Sequence, residues 1–76
     1  MKAYQQDLVN EYVALKKREL NLFNYLIKRE LGIIKTPLTC PVNVIRKQYE
    51  ALNVYTTALF VRLECEGIDT NKIVID

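Results

Sequence analysis

The sequence predicts an all-α fold, an antiparallel helical hairpin of two long helices that assembles with its own copies into a homo-oligomeric helical bundle. Three observations predict it. Apolar residues recur at helical spacing along two long stretches, and a connector with prolines separates these stretches. Half of the 76 residues are apolar, a high share for a lone hairpin. A chain this short forms a single domain, residues 1–76, and often needs a partner for stability.

The first helix is predicted over residues 3–31. At about 100° per residue its apolar side chains fall in two adjacent rows that cover half of the helix circumference. Gly32 ends the helix, and Ile33 is expected to fold back onto Ile27 as in a Schellman C-cap. The first row consists of Leu8, Tyr12, Leu15, Leu22 and Leu26, and the second of Val9, Val13, Leu20, Phe23 and Ile27.

A connector over residues 32–40 leads to the second helix, which is predicted over residues 41–66. Pro41 suits the first helical position, and Gly67 suits the position just after the helix. The tail, residues 67–76, alternates like a strand but is too short to form a sheet alone. We therefore expect it either to pack on a neighbour or to stay loose.

The second helix carries two apolar faces where a surface helix has one. The face predicted to pack on the first helix consists of Ile45, Tyr49, Leu52, Thr56, Leu59 and Leu63. The other has small residues every seven positions, a spacing that lets another helix approach closely. It predicts an oligomer interface of Ala51, Tyr55, Ala58 and Cys65.

Arg62 lies on that second face, and an unpaired arginine covered by another chain would be costly. Two alternatives remain open. In the first, the arginine forms a salt bridge with one of Glu19, Glu30 and Glu66. In the second, it lines an anionic ligand pocket between protomers, in which Tyr12 and Tyr55 supply aromatic rings.

Basic residues gather near the bend of the hairpin, where the second helix also begins. Its free N–H groups favour anions, so a phosphate-bearing ligand could bind there. A solvated charged end, or contact between subunits, is the alternative. The basic residues are Lys28, Arg29, Lys35, Arg46 and Lys47.

Several functions are disfavoured by what the sequence lacks. It has no histidine, no nucleophile motif and no phosphate-binding glycine loop, so we expect no enzyme, no metal site and no cofactor.

Cys40 and Cys65 would lie roughly 37 Å apart along one helix, too far for a disulfide, and free thiols predict a cytoplasmic protein. No membrane span is expected, and a net charge of +2 makes nucleic acid a poor candidate partner.

Two segments, QQDLVNEYVALKKRELNLFNYLIK and CPVNVIRKQYEALNVYTTALFVRLECEGI, resemble small helical-hairpin accessory proteins of phages, including crAss-like phages. The shared patterns are L-x-x-E-Y-x-x-L-x-x-R in the first helix and Q-x-x-A-L-x-x-Y in the second. The resemblance covers residues 5–68 and implies a protein acting in the cytoplasm of an infected host cell. The matching positions are Leu8, Glu11, Tyr12, Leu15, Arg18, Gln48, Ala51, Leu52 and Tyr55.

The segment TTALFVR is similar to the second helix of phage anti-CBASS sponges, helical oligomers that bind cyclic oligonucleotides between protomers. That resemblance implies that Arg62 contacts phosphate and that Tyr12 stacks on a base. Lys35 and Thr36 in the bend would be phosphate ligands by position only, because this chain has a longer first helix and a different bend.

These features favour a non-enzymatic anti-defence protein that binds a cyclic nucleotide immune signal and sequesters it between protomers. The expected ligand-binding residues are Tyr12, Lys35, Thr36, Arg46, Tyr55 and Arg62. The alternative is a helical interaction protein that binds and inhibits a host protein through its open face. A third reading, weak nucleic-acid binding by the basic bend, requires binding that falls steeply with salt.

Overall fold

The computed structural model describes residues 1–75, and it is an all-α antiparallel hairpin of two helices, as predicted. Helix α1 spans Ala3–Glu30 and helix α2 spans Val42–Cys65, where the sequence predicts helices over residues 3–31 and 41–66. A single 3₁₀ turn, Thr70–Lys72, follows. The hairpin is a rod of 45 × 20 × 16 Å, so a large share of each helix remains exposed.

Both helices end in the Schellman geometry that the two glycines predict. Gly32 and Gly67 have φ angles of 77° and 74°, a region that side chains with a Cβ rarely adopt. After α1, the N–H of Ile33 donates to the carbonyl of Lys28 at 2.9 Å. After α2, the N–H of Ile68 donates to the carbonyl of Leu63 at 3.1 Å. The backbone therefore satisfies the last carbonyls of each helix locally.

Pro41 lies one position before α2 and is not its first residue. Its ψ angle of 144° is extended, and its carbonyl accepts a hydrogen bond from the N–H of Val44 at 3.0 Å. The proline ring fixes φ near the helical value while the extended ψ turns the connector into the helix. The first turn of α2 contains no acidic residue.

The main core lies at the open end of the hairpin. Leu8 and Tyr12 of α1 pack there with Leu59 and Leu63 of α2, and Leu63 is completely buried. The tail packs against this core and forms no strand within residues 67–75. Three of its apolar side chains pack against the core at the end of the hairpin. They are Ile68, Ile73 and Ile75; the last residue of the predicted tail, Asp76, lies outside the described residues.

The two apolar rows of α1 differ in burial. In the first row Leu8, Tyr12 and Leu26 are buried, which confirms its packing against α2. In the second row the side chains toward the bend remain 40–45% exposed, because α2 covers only one side of α1. They are Leu20, Phe23 and Ile27.

A polar layer interrupts the interface halfway along the hairpin. Glu19 is only 3% exposed, and its carboxylate accepts hydrogen bonds from Asn53 and, at 2.8 Å, from the hydroxyl of Thr56. Lys16 forms a salt bridge with it at 3.0 Å. The proposed Arg62 salt bridge to Glu19 is therefore wrong. Lys16 lies one turn away on the same helix, so its ammonium group is the one within salt-bridge distance of the carboxylate.

The pKa of Glu19 is lowered by this environment. Burial alone raises the pKa, because the charged form loses its hydration. The hydrogen bonds from Asn53, Lys16 and Thr56, together with the positive charge of Lys16, outweigh that effect. The carboxylate is therefore ionised and fully engaged between the helices. Asn53 of α2 takes part in this layer through its hydrogen bond to Glu19.

Candidate ligand and self-association surface

The side of α2 that points away from α1 is apolar. At about 100° per residue it lies opposite the buried residues Thr56 and Leu63. Val54 is 70% exposed and Val61 is 52% exposed. The corresponding side of α1 carries asparagines and lysines, as an outer surface normally does. We call this face the α2 outer face, and it consists of Ala51, Val54, Ala58, Val61 and Cys65.

Arg62 lies at one edge of the α2 outer face. With Tyr55, Ala58 and Leu59 it lines a shallow depression of about 140 Å³. Within residues 1–75 no carboxylate lies within 4.0 Å of its guanidinium, so the structure contains none of its three proposed salt bridges. The depression brings together two of the expected ligand residues, Tyr55 and Arg62, and two of the expected interface residues, Tyr55 and Ala58.

Two tyrosines on the same edge are hydrogen-bonded to carboxylates of the opposite helix or its cap. The hydroxyl of Tyr4 donates to Glu66 at 2.7 Å, and that of Tyr55 donates to Glu11. The pKa of each tyrosine is raised mainly because its proton is held in that hydrogen bond, and the positive charge of Arg62 opposes the rise in both. Glu66, one of the three candidate partners of Arg62, is thus hydrogen-bonded to Tyr4 instead.

Tyr12 does not join this depression. It is 8% exposed, and its ring packs against Phe60 with 6.0 Å between the ring centroids. It lines a separate cavity of about 220 Å³ between the helices, beside Lys16 and Thr57. In the hairpin its ring is therefore part of the core, and a single protomer does not offer it beside Arg62 for stacking on a base.

The remaining expected ligand residues lie at the bend, far from Arg62. Lys35 and Thr36 are exposed in the connector. Arg46 is 16 residues before Arg62 on α2, which is roughly 24 Å along the helix axis. It borders a cavity of about 230 Å³, and Arg29 borders the same cavity. The predicted ligand residues therefore do not form one site, and only Tyr55 and Arg62 share a depression.

Arg29 is the site residue that sequence reasoning missed. It was noted only as one of several basic residues near the bend. Its Nη1 is buried and has no hydrogen-bond partner within residues 1–75. The burial of this atom depends on tertiary packing, so the one available sequence signal was the local excess of positive charge.

Another cavity, of about 480 Å³, opens at the other end of the hairpin, between the start of α1 and the tail. Its polar groups are largely bonded to one another. Gln5 donates to the side chain and carbonyl of Glu66 at 3.3 and 3.4 Å, and Asp69 accepts from the N–H of Asn71 at 3.1 Å. This cavity was not anticipated, because the tail that closes it was expected to be loose or to pack on a neighbour.

Other classes of site are not formed by the described part of the chain. No three histidine, cysteine, aspartate or glutamate side chains converge as a metal ion requires, and both cysteines are free thiols. Neither helix within residues 1–75 combines the length and apolar character needed to cross a membrane. Comparison with protein-family models, with curated proteins and with solved structures gives no match.

Proposed function

We propose that the protein is a non-enzymatic homo-oligomer that sequesters a small anionic nucleotide between protomers. The observation that carries this proposal is Arg62, which has no acidic partner among residues 1–75 and lies at the edge of the apolar α2 outer face. The resemblance of the surrounding segment to cyclic-oligonucleotide sponges suggests the nucleotide class. Binding alone would suffice, because lowering the free concentration of a signal requires affinity and copy number and no chemistry.

Self-association is supported by the surface area of the hairpin. The exposed surface is 5666 Å², whereas a compact monomer of 8.9 kDa exposes about 4,800 Å². The excess of about 900 Å² is close to the roughly 800 Å² that each partner contributes to a standard interface. Among the described residues twelve large hydrophobic side chains are exposed and five are buried, so one hairpin leaves much of its apolar surface wet.

The α2 outer face fits a second copy of this chain because it is nearly free of charge and contains small residues. Ala51 and Ala58 allow helix backbones to approach, while Val54 and Val61 supply apolar area. A helix face of this kind would be covered most simply by the same face of another protomer, in an isologous contact.

The ligand site requires this second protomer. The depression beside Arg62 has a volume of about 140 Å³, whereas pockets for drug-sized ligands measure about 300–1,000 Å³. One protomer therefore offers at most a place for a phosphate group and part of a base. The ring of Tyr55, 51% exposed, borders this depression and is available for stacking.

The acidic residues near Arg62 restrict where an anion could bind. Glu11 and Glu66 are hydrogen-bonded to Tyr55 and Tyr4, and neither lines the depression. An anion approaching from the α2 outer face, past Ala58, would meet the guanidinium without passing these carboxylates. This is the direction from which a second protomer would close the site.

The test is native mass spectrometry with a panel of cyclic dinucleotides, cyclic trinucleotides and cyclic ADP-ribose isomers. We expect a defined oligomer that takes up ligand in a fixed ratio, with loss of uptake in Arg62→Ala. Arg18→Ala removes the same charge from an exposed position outside the depression and is the matched control. A monomer, or an oligomer that takes up nothing below micromolar concentration, would contradict the proposal.

A second candidate function, inhibition of a host protein, is favoured by the exposed side chains of α1. Leu20, Phe23 and Ile27 remain 40–45% exposed on a helix other than α2, so a contact through the α2 outer face leaves them free. The expected result is a stoichiometric complex with one host protein that Ile27→Lys abolishes and Lys17→Ala preserves. Equal recovery with both variants would exclude this row as the contact surface.

A further inference from the structure

We propose that the bend of the hairpin holds a second, independent site for the phosphate group of a small molecule, formed by Arg29, Arg46 and the first turn of α2. The proposal starts from Arg29, whose Nη1 is buried and finds no acceptor within residues 1–75. Buried polar groups are nearly always hydrogen-bonded, and an unsatisfied group on a charged side chain is especially costly. An acceptor that Arg29 could reach from the cavity it borders would remove that cost.

The surroundings of Arg29 favour an acceptor with negative charge. Arg29 and Arg46 border the same cavity of about 230 Å³, so two positively charged side chains line one small volume. Val42, the first residue of α2, also borders it, and N–H groups in the first turn of a helix have no acceptor within the helix. That turn contains no acidic residue to occupy this position.

The chemistry of these groups selects phosphate. A guanidinium presents parallel N–H donors that match two phosphate oxygens, and two arginines can share one group. The cavity is smaller than the 300–1,000 Å³ of a complete ligand pocket, so it fits the phosphate group while the rest of the molecule stays outside.

Glu30 also borders the cavity and limits the charge that the site accepts. Within residues 1–75 it lies more than 4.0 Å from both guanidinium groups, so it does not neutralise them through a salt bridge. Its carboxylate would repel a second phosphate placed beside the first. The site therefore suits a single phosphate group and disfavours a polyphosphate.

This site is separate from the one proposed at Arg62. The two arginines of α2, Arg46 and Arg62, are roughly 24 Å apart along the helix, so one phosphate cannot contact both in a protomer. Loss of one site should therefore leave the other intact.

The experiment is a titration of the full chain with inorganic phosphate and, separately, with adenosine monophosphate at constant ionic strength. The observed signals are the arginine side-chain Nε–Hε resonances in ¹⁵N-edited spectra. We expect saturable shifts of Arg29 and Arg46 in the wild type, with at least tenfold weaker binding in Arg46→Ala. Tighter binding of the nucleotide would identify a nucleotide phosphate as the ligand, and equal binding would identify free phosphate.

Three further variants make the result decisive. Arg29→Lys keeps the charge but loses the paired donors, and we expect it to weaken binding as well. Arg18→Ala and Arg62→Ala should bind phosphate like the wild type, and the latter separates this site from the proposed nucleotide site. Shifts that do not saturate, equal binding by all variants, or loss of binding in Arg62→Ala would overturn the proposal.

Discussion

Replacing Glu19 by glutamine should destabilise the hairpin by about 2 kcal/mol at neutral pH. The substitution keeps the size of the side chain and removes its charge. Hydrogen bonds to a charged group contribute about 1.5–3 kcal/mol, and those to a neutral group about 0.5–1.5 kcal/mol. Asn53 and Thr56 each donate to the carboxylate, so the change costs about 1 kcal/mol for each of the two bonds.

Three features of the layer keep this estimate from being larger. Lys16 is 30% exposed, so its salt bridge adds at most about 1 kcal/mol and its ammonium group can turn to water. The hydroxyl of Thr56 also lies 3.1 Å from the carbonyl of Asn53 and can donate there while accepting from the new amide. The carboxylate's desolvation cost also disappears. A loss of about 2 kcal/mol corresponds to a midpoint lowered by about 8–16 °C for a domain of this size.

The pH dependence provides the sharper test. The pKa of Glu19 is lowered in the folded state from its ordinary value of 4.5, so the folded state favours the ionised form. Its contribution is therefore fully present above that ordinary value, and it is lost as the pH falls through the folded-state pKa. The difference in stability between wild type and Glu19→Gln should be constant near neutral pH and should shrink below about pH 4.5.

The measurement is urea unfolding followed by circular dichroism at several pH values, at one fixed protein concentration. The difference in the free energy of unfolding between the two proteins removes the contribution from titration of the other carboxylates. Equal stability at pH 7, or a difference that stays constant from pH 7 to pH 3, would refute the role assigned to the polar layer.

Three further predictions concern exposed positions. Ala58→Arg should convert the proposed oligomer to monomer in sedimentation velocity without loss of helicity, with dissociation at least a hundredfold easier, because a second positive charge would be buried beside Arg62 in the interface; an unchanged oligomer would exclude this face. Gly67→Ala should lower the free energy of unfolding by about 1 kcal/mol in urea, since a φ angle of 74° disfavours a side chain even though nothing lies within 4 Å of the added Cβ. An unchanged free energy of unfolding would contradict backbone strain at this position. Tyr55→Phe should alter stability by less than about 0.5 kcal/mol, because its hydrogen bond to Glu11 is exposed, and a larger loss would show that this bond is part of the core.

The sequence by itself determined the hairpin and the burial of its facing sides. Apolar spacing, the connector and the glycines Gly32 and Gly67 act over one or two turns, so their effect can be read from neighbouring residues. For the same reason the face of α2 around Leu59 and Leu63, and the second face around Ala58, could be assigned without coordinates. Periodicity places each residue on a side of its own helix.

Only the tertiary structure decided which residues meet across the helices. The sequence offers Glu19 only as a candidate partner of Arg62, whereas its actual partners Asn53 and Thr56 depend on how far one helix is shifted along the other. The same shift buries Tyr12 against Phe60 and brings Tyr55 to Glu11. Helical spacing fixes angles around an axis and carries no information on this register, which arises from the packing of all contacts at once.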